Sequence, residues 1–114
     1  MARGDVYMVE LPAARGAPTA EQVGSRPAVI VQVDEPGPFP TVVVVPLTSK
    51  LSALRYRHTI RIEPSPDNGL ATTSVLLVFQ LRAIDRARLI KRIGWLDGQQ
   101  MEILSREIVS LLDL

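Results

Sequence analysis

Cysteine is absent from this chain of 114 residues, and histidine occurs only once. The lack of cysteine excludes disulfides, thiolate nucleophiles and zinc sites of the cysteine type, and it fits a reducing cytoplasm. A single histidine, His58, excludes a catalytic histidine pair and a histidine-rich metal site within one chain. Its neighbours Arg57 and Arg61 would oppose a bound cation. We therefore expect neither a metal nor another cofactor.

Long apolar runs are also missing. The longest, such as residues 42–45, are far shorter than a membrane span, and the N-terminus shows no signal-peptide pattern. We expect a cytoplasmic protein that makes no membrane contact. The hydrophobic content of 46% is enough for the core of one domain spanning residues 1–114. Nucleotide-binding glycine motifs and the Gly-x-Ser-x-Gly elbow are absent, so any acid–base chemistry must use less usual groups.

Short apolar runs separated by proline and glycine dominate the first 95 residues, which is typical of a β-rich domain. The runs lie at residues 6–9, 28–33, 42–47, 59–62, 75–79 and 89–93. Because a proline- and glycine-rich loop at 11–25 follows the first run, we expect that run to pair weakly with its neighbours. The runs at 28–33 and 42–47 do not alternate, which predicts central strands that are covered on both faces.

The C-terminal segment has a different pattern. Asp97 and Gln100 form a capping-box pair at a helix start. Apolar residues then recur at helical spacing, at Met101, Leu104, Ile108 and Leu111. The sequence therefore predicts a mainly β domain, a strongly curved sheet that carries one C-terminal amphipathic helix.

The proline-rich segment 34–40 cannot continue a central strand, so it predicts a wide antiparallel hairpin between the runs on either side. If the hairpin is centred near Gly37, partner numbers sum to 74, and Arg26 lies opposite Thr48. Opposite residues project from one face, with Cβ atoms about 5 Å apart. A guanidinium beside a hydroxyl can stabilise phosphoryl transfer without a metal. Judged from these residues alone, a merely structural role at two strand ends is favoured.

Positive charge is concentrated in the second half of the chain. Residues 49–62 contain four basic side chains and no acidic one, and residues 82–92 contain five basic side chains against Asp85. Such stretches can bind phosphates, but a solvated strand edge would have the same composition.

Four blocks of the sequence resemble a known family. They are RGDVY at residues 3–7, GSRPAVIVQ at 24–32, TVVVVPLTS at 41–49, and SVLLVFQLRAID at 74–85 with IGWL following at 93–96. Each block alone is weak, but the blocks are collinear and cover nearly the whole chain. The chain therefore resembles the MazF/PemK toxins of type II toxin–antitoxin systems.

The resemblance implies a compact SH3-like β-barrel of the CcdB/MazF type with a C-terminal helix, working as a homodimer. It also implies sequence-specific, metal-independent cleavage of single-stranded RNA. In that reaction the ribose 2′-hydroxyl attacks the adjacent phosphate, leaving 2′,3′-cyclic phosphate and 5′-hydroxyl ends. Arg26 matches the catalytic arginine, which acts in acid–base transfer and charge stabilisation, and Thr48 matches the catalytic threonine.

Further RNA contacts and an antitoxin partner are implied as well. The expected RNA-binding residues are Gln80, Glu21, Gln22, Ser25, Ser49, Lys50 and Arg82. The cognate antitoxin is expected to be an acidic, partly disordered protein whose tail occupies the RNA groove.

Two departures from the family pattern concern the site. Residues 16–22 replace a compact Gly-Ser-Glu-Gln loop, with Ala20 where a serine is often found, and Phe79 replaces a polar residue. Both put the cleavage-site preference in doubt. Two alternatives remain. One is a CcdB-like toxin that binds gyrase, although this chain ends in LLDL and not in Trp-Gly-Ile. The other is a catalytically weakened toxin that still binds antitoxin.

Overall fold

A computed structural model describes residues 1–11, 24–34 and 39–114 of the chain. The described residues form seven strands, three short 3₁₀ turns and one helix. The strands are β1 (Asp5–Leu11), β2 (Gly24–Ile30), β3 (Thr41–Thr48), β4 (Thr59–Ile62), β5 (Ser74–Leu77), β6 (Arg82–Asp85) and β7 (Leu89–Trp95). The turns are η1 (Leu51–Arg55), η2 (Val78–Gln80) and η3 (Arg86–Arg88), and the helix is α1 (Gly98–Leu112).

All strand pairings are antiparallel, and the strands follow one another across the sheet in the order β4-β5-β3-β2-β1-β7, with β6 also paired to β3. The predicted mainly β class with a C-terminal helix is confirmed. The weak pairing expected of the first strand is wrong, because β1 lies between β2 and β7. Closing a longer loop adds little entropic cost, so the loop after β1 does not prevent this pairing.

Apolar side chains pack on both faces of the central strands, as the missing alternation predicted. Successive residues of β2 contribute to opposite faces, so Val29 joins one cluster while Ala28 and Ile30 join another. The first cluster, here called the helix-side core, includes Leu104 of α1. The second cluster, here called the far-side core, includes Val42, Val44 and Ile84.

Helix α1 begins where the capping-box pattern predicted. The Asp97 carboxylate accepts a hydrogen bond from the Gln100 backbone N–H at 2.7 Å, and the Gln100 side chain accepts one from the Asp97 N–H at 3.0 Å. The predicted apolar face packs on the helix-side core through Met101, Leu104, Ile108 and Leu111. No helix within residues 1–11, 24–34 and 39–114 is long and apolar enough to cross a membrane.

Removing the helix cap should lower stability measurably. We expect Asp97→Ala to reduce the free energy of unfolding by about 1 kcal/mol, because the first turn then loses a hydrogen-bond acceptor. Urea unfolding measures this change. The control is Glu102→Ala, which removes only an exposed ion pair with Arg106 one turn away and should cost less than about 0.5 kcal/mol. Equal losses in the two variants would show that the cap contributes nothing of its own.

The edge of β3 that faces away from β2 pairs with two consecutive strands. Partner numbers sum to 126 in the ladder with β6 and to 123 in the ladder with β5. The three residues of η2 account for this difference, because they loop out of what would otherwise be one strand. Pro46 lies opposite this interruption. Proline has no N–H to donate, and at this position the ladder has no hydrogen bond that would require one.

A tight turn at residues 65–69 closes one end of the molecule. Asn68 is fully buried, and its Oδ1 accepts hydrogen bonds from the backbone N–H groups of Ser65 and Leu70. Its Nδ2 donates to the carbonyl of Glu63 at 2.9 Å. The turn packs directly against Gly94 of β7. Asn68 therefore holds the turn together from within. The Trp95 N–H joins the turn to β7 by donating to the Asp67 carbonyl at 2.9 Å.

Candidate active site

The register between β2 and β3 is the one that the hairpin argument predicted. Ala28 pairs with Pro46, Val29 with Val45 and Ile30 with Val44, so partner numbers sum to 74. The same register continues beyond the strand, where the Val31 N–H donates to the Val43 carbonyl at 3.1 Å. The predicted centre of the hairpin near Gly37 itself lies outside the described residues.

The ladder ends before it reaches the predicted pair. Because the Val31 N–H bonds to the Val43 carbonyl, strand alternation places the next hydrogen-bonded pairs at Val29 with Val45 and at Pro27 with Leu47. A proline has no N–H to donate, so that last pair loses one of its two bonds. The β2–β3 ladder stops at Ala28 accordingly.

Arg26 and Thr48 are therefore not direct ladder partners. Arg26 pairs with Val9 of β1, and Thr48 pairs with Val75 of β5. Each side chain still lies two residues beyond the Ala28–Pro46 pair, where β2 and β3 separate.

Strand alternation places the two side chains on one face of the sheet. Arg26 shares its face of β2 with Ala28 and Ile30, and Thr48 shares its face of β3 with Val44, all on the far-side core. The Arg26 side chain is exposed, and it forms no hydrogen bond or ion pair with any described residue. The guanidinium is thus available to an anion at the end of the far-side core.

Thr48 is held in place by burial and by one hydrogen bond. The residue is only 7% exposed, and its Oγ1 accepts from the Lys50 backbone N–H at 3.2 Å. A hydroxyl has one hydrogen to donate besides its acceptor capacity. Among the described residues this hydroxyl donates to no acceptor, so the hydrogen is available to an oxygen of a ligand.

Several other predicted RNA contacts lie on β6, on η2 or directly after β3. Arg82 pairs with Val44 across the ladder, so it projects from the same face as Arg26. Gln80 ends η2, half-buried and two residues before Arg82. Ser49 and Lys50 follow Thr48 directly and are exposed.

The remaining predicted contacts are placed differently. Ser25 projects from the opposite face of β2 to Arg26, and its hydroxyl donates to the Glu10 carboxylate at 2.9 Å. Glu21 and Gln22 lie outside the described residues, as does the altered loop at 16–22. Among the residues that the structure does describe, no three histidine, aspartate or glutamate side chains converge to hold a metal ion.

Sequence reasoning missed the two prolines that shape the site. Pro27 ends the ladder between β2 and β3, and Pro46 faces the interruption between β5 and β6. The signal was available, because a proline inside a run that is otherwise typical of a central strand requires an unpaired position. An arginine guanidinium and a threonine hydroxyl on one sheet face are groups that can bind the non-bridging oxygens of a phosphodiester.

Comparison with known proteins agrees with this architecture. The family model described as "PemK-like, MazF-like toxin of type II toxin-antitoxin system" matches residues 2–112. The chain belongs to this family of toxins.

Individual relatives support the assignment. Over 109 residues the chain is 34% identical to the Endoribonuclease MazF of Staphylococcus saprophyticus, covering 95% of this chain and 88% of that protein. It is similar in structure to the Mycobacterium tuberculosis toxin MazF-mt6, with a TM-score of 0.75, 21% identity, and coverage of 96% and 97% of the two chains. A mycobacterial endoribonuclease in complex with its cognate antitoxin gives a TM-score of 0.73 at 22% identity, covering 100% and 96%. At these identities the structural matches establish the shared fold.

Proposed function

We propose that this toxin is a metal-independent endoribonuclease that cleaves single-stranded RNA, with Arg26 and Thr48 as its catalytic pair. One observation carries the assignment of the pair. The two side chains lie on one sheet face where β2 and β3 separate, and neither the guanidinium nor the hydroxyl hydrogen is bonded to another described residue. Membership of the toxin family and the similarity to an endoribonuclease support the reaction class.

The proposed reaction is an internal transesterification. The ribose 2′-oxygen forms a bond to phosphorus while the bond from phosphorus to the 5′-oxygen breaks, leaving a 2′,3′-cyclic phosphate. Arg26 donates hydrogen bonds to the oxygens on which charge develops, and it passes a proton to the departing 5′-oxygen. The proton released by the 2′-hydroxyl restores the guanidinium. Thr48 donates its hydroxyl hydrogen to a non-bridging oxygen and holds the phosphate in line.

The basic side chains around the pair would bind the RNA backbone. Arg82 lies on the same face, and Lys50 is exposed directly after Thr48. Contacts of this kind position the strand without reading its sequence. We assign Gln80 and Ser49 to the same RNA groove, and we propose that Glu21 and Gln22 also contact the RNA. Ser25 is not included, because it projects from the opposite face of β2 to Arg26.

We propose two protein partners and a cytoplasmic location. An acidic antitoxin would neutralise the basic groove and cover Arg26, which is the arrangement that charge complementarity favours. A similar structure is a complex with its cognate antitoxin. A second copy of the chain would bury apolar residues that one copy leaves exposed, such as Val33, Val109 and Leu112. Light scattering of the purified toxin tests for the homodimer.

RNA cleavage with end mapping tests the proposed reaction. Purified toxin is incubated with a long defined single-stranded RNA in EDTA, and the 5′-hydroxyl ends are sequenced. We expect cuts at a short recurring motif, with cyclic phosphates on the upstream fragments. Intact RNA would contradict the proposal. Gyrase-dependent DNA breaks without RNA cleavage would instead favour the CcdB-like alternative.

Removing the Thr48 hydroxyl should slow cleavage without disturbing the fold. We expect Thr48→Val to lower kcat roughly 10- to 100-fold, since one hydrogen bond to a charged oxygen is lost in the transition state. Valine has nearly the same shape, so it fills the buried position. Thr48→Ser restores the hydroxyl and should recover most of the rate, as measured by single-turnover cleavage. A valine variant with the wild-type rate would remove Thr48 from the catalytic pair.

A further inference from the structure

The segment that follows Thr48 is rich in positive charge. Residues 49–62 contain no acidic residue, and their basic residues are Lys50, Arg55, Arg57 and Arg61. Arg61 is paired with Glu63 at 3.2 Å. The Thr73 hydroxyl, together with Arg61, holds the pKa of that carboxyl below its ordinary value. By contrast, the side chains of Lys50 and Arg57 form no hydrogen bond or ion pair within the described part of the chain.

An aromatic pair lies on this segment. The chain has only five aromatic residues, and two of them, Tyr56 and Phe79, meet with ring centroids 5.3 Å apart and planes tilted by 53°. The Arg55 guanidinium lies 4.8 Å from the centroid of the Tyr56 ring and donates to its hydroxyl at 2.8 Å. Neither ring belongs to the helix-side core or the far-side core, and Tyr56 is 41% exposed.

The pairing of β5 with its neighbours relates this aromatic pair to the catalytic pair. Val75 pairs with Thr48 on one side and with Arg61 on the other, so these side chains share a face with Leu77. Val75 and Leu77 are buried, although neither belongs to the two cores. The turn η1 contacts both β4 and β5.

Two hydrogen bonds then position the rings at the end of η1. The Thr59 hydroxyl donates to the Tyr56 carbonyl at 3.0 Å, and the Phe79 N–H donates to the His58 carbonyl at 3.3 Å. Thr59 pairs with Leu77 across the ladder, so its hydroxyl and the Tyr56 carbonyl lie on the face that carries Thr48. Phe79 immediately precedes Gln80 in η2. The aromatic pair is therefore anchored to β4 and η2, on elements that flank β5 beside Thr48.

We propose that Tyr56, Phe79 and Arg55 form a stacking site for a nucleobase beside the scissile phosphate. This inference rests on the proposed ribonuclease function and adds a base contact to the backbone contacts proposed above. A base in a single strand is recognised by stacking on aromatic and guanidinium groups, and stacking on an exposed ring tolerates several bases. Arg57 and Lys50 supply positive charge that a phosphate backbone can pair with, and the exposed Tyr56 ring supplies a surface on which a base can stack. The combination of rings and cations therefore favours RNA.

Abasic substrates test the site directly. A short RNA with one cleavage site is prepared in versions that lack a single base at each position flanking the cut. For the wild-type toxin we expect one abasic position to lower kcat/KM by on the order of 10-fold. Tyr56→Leu should lower kcat/KM on the intact RNA by a similar factor and should be insensitive to the abasic change at that position. Tyr56→Phe retains the ring and should therefore keep the sensitivity to the abasic change that Tyr56→Leu loses.

Trp95 provides a matched control. It is 43% exposed and has the Arg92 guanidinium 5.1 Å from its ring, but it lies on β7, at the other end of the sheet from β4. Trp95→Leu should leave the rate and the abasic profile unchanged. Thermal unfolding of each variant separates loss of the site from loss of the fold.

The outcomes are distinct. If the wild-type toxin cleaves RNA but Tyr56→Leu and Phe79→Leu retain its rate and abasic profile, the stacking site is refuted while the ribonuclease function stands. If those variants lose antitoxin binding and keep normal cleavage, the surface belongs to the antitoxin, which also refutes it. An absence of cleavage by the wild-type toxin overturns both proposals.

Discussion

Replacing Arg26 by alanine is expected to lower the kcat of RNA cleavage by on the order of 10²- to 10³-fold, with a smaller effect on KM. The guanidinium has no partner among the described residues, so in the free protein its full hydrogen-bonding capacity remains available. Its strongest interactions would form as charge develops on the phosphate, and groups that act in this way contribute mainly to kcat. Single-turnover rates at saturating enzyme measure this effect without interference from product release.

Two variants make the Arg26 result specific. Arg26→Lys keeps the charge but loses the planar fork, so it should recover only a small part of the rate. Arg106→Ala removes the same charge from α1, where the arginine is exposed and paired with Glu102, on the side of the sheet opposite the site. Its rate should match the wild type. If Arg26→Ala and Arg106→Ala lose equal activity, general charge attraction explains the effect and Arg26 has no catalytic role.

Replacing Gly94 by alanine is expected to destabilise the fold by about 3 kcal/mol or more. A Cβ atom at Gly94 would lie 2.2 Å from the Asp67 carbonyl oxygen and 2.5 Å from the Asn68 carbonyl carbon. Both are backbone atoms, so no side-chain rotation relieves the overlap, and the 65–69 turn must move away from β7. Movement of the turn would also strain the buried hydrogen bonds of Asn68. Urea unfolding measures the loss.

Gly98 is the matched control for this prediction. It is the first residue of α1, and nothing lies within 4 Å of a Cβ atom built there. Alanine has the higher helix propensity, so Gly98→Ala should leave stability unchanged or raise it by less than about 1 kcal/mol. A small loss at Gly94, similar to the change at Gly98, would mean that the 65–69 turn adjusts freely and is not fixed by the contact.

The features that local chemistry determines were predictable from the sequence. The capping box at Asp97 and the apolar stripe of α1 follow from residues that are close together in the chain, and the structure confirms both. The register between β2 and β3 was also predictable, because one proline-rich loop fixes how two central strands meet. It placed Arg26 and Thr48 on the same face and at corresponding strand ends.

Features that depend on distant partners were not predictable in the same way. The end of the β2–β3 ladder depends on whether the backbone nitrogen of Pro27 faces β3 or β1. This is known only once it is known which residues of the ladder exchange hydrogen bonds. The contact between Tyr56 and Phe79 joins residues from two separate segments. No periodicity in either segment indicates it. The run at 75–79 was predicted as one strand, whereas the structure ends β5 at Leu77 and begins η2.

The turn η2 has three residues, and the partner numbers of the two ladders on the outer edge of β3 also differ by three. Val78 is buried in the helix-side core and anchors the segment, while Phe79 and Gln80 are only half-buried. Substitutions at these two positions therefore leave every strand pairing of β3 in phase. The surface at Phe79 and Gln80 can therefore change in sequence while the sheet that positions Arg26 and Thr48 stays the same.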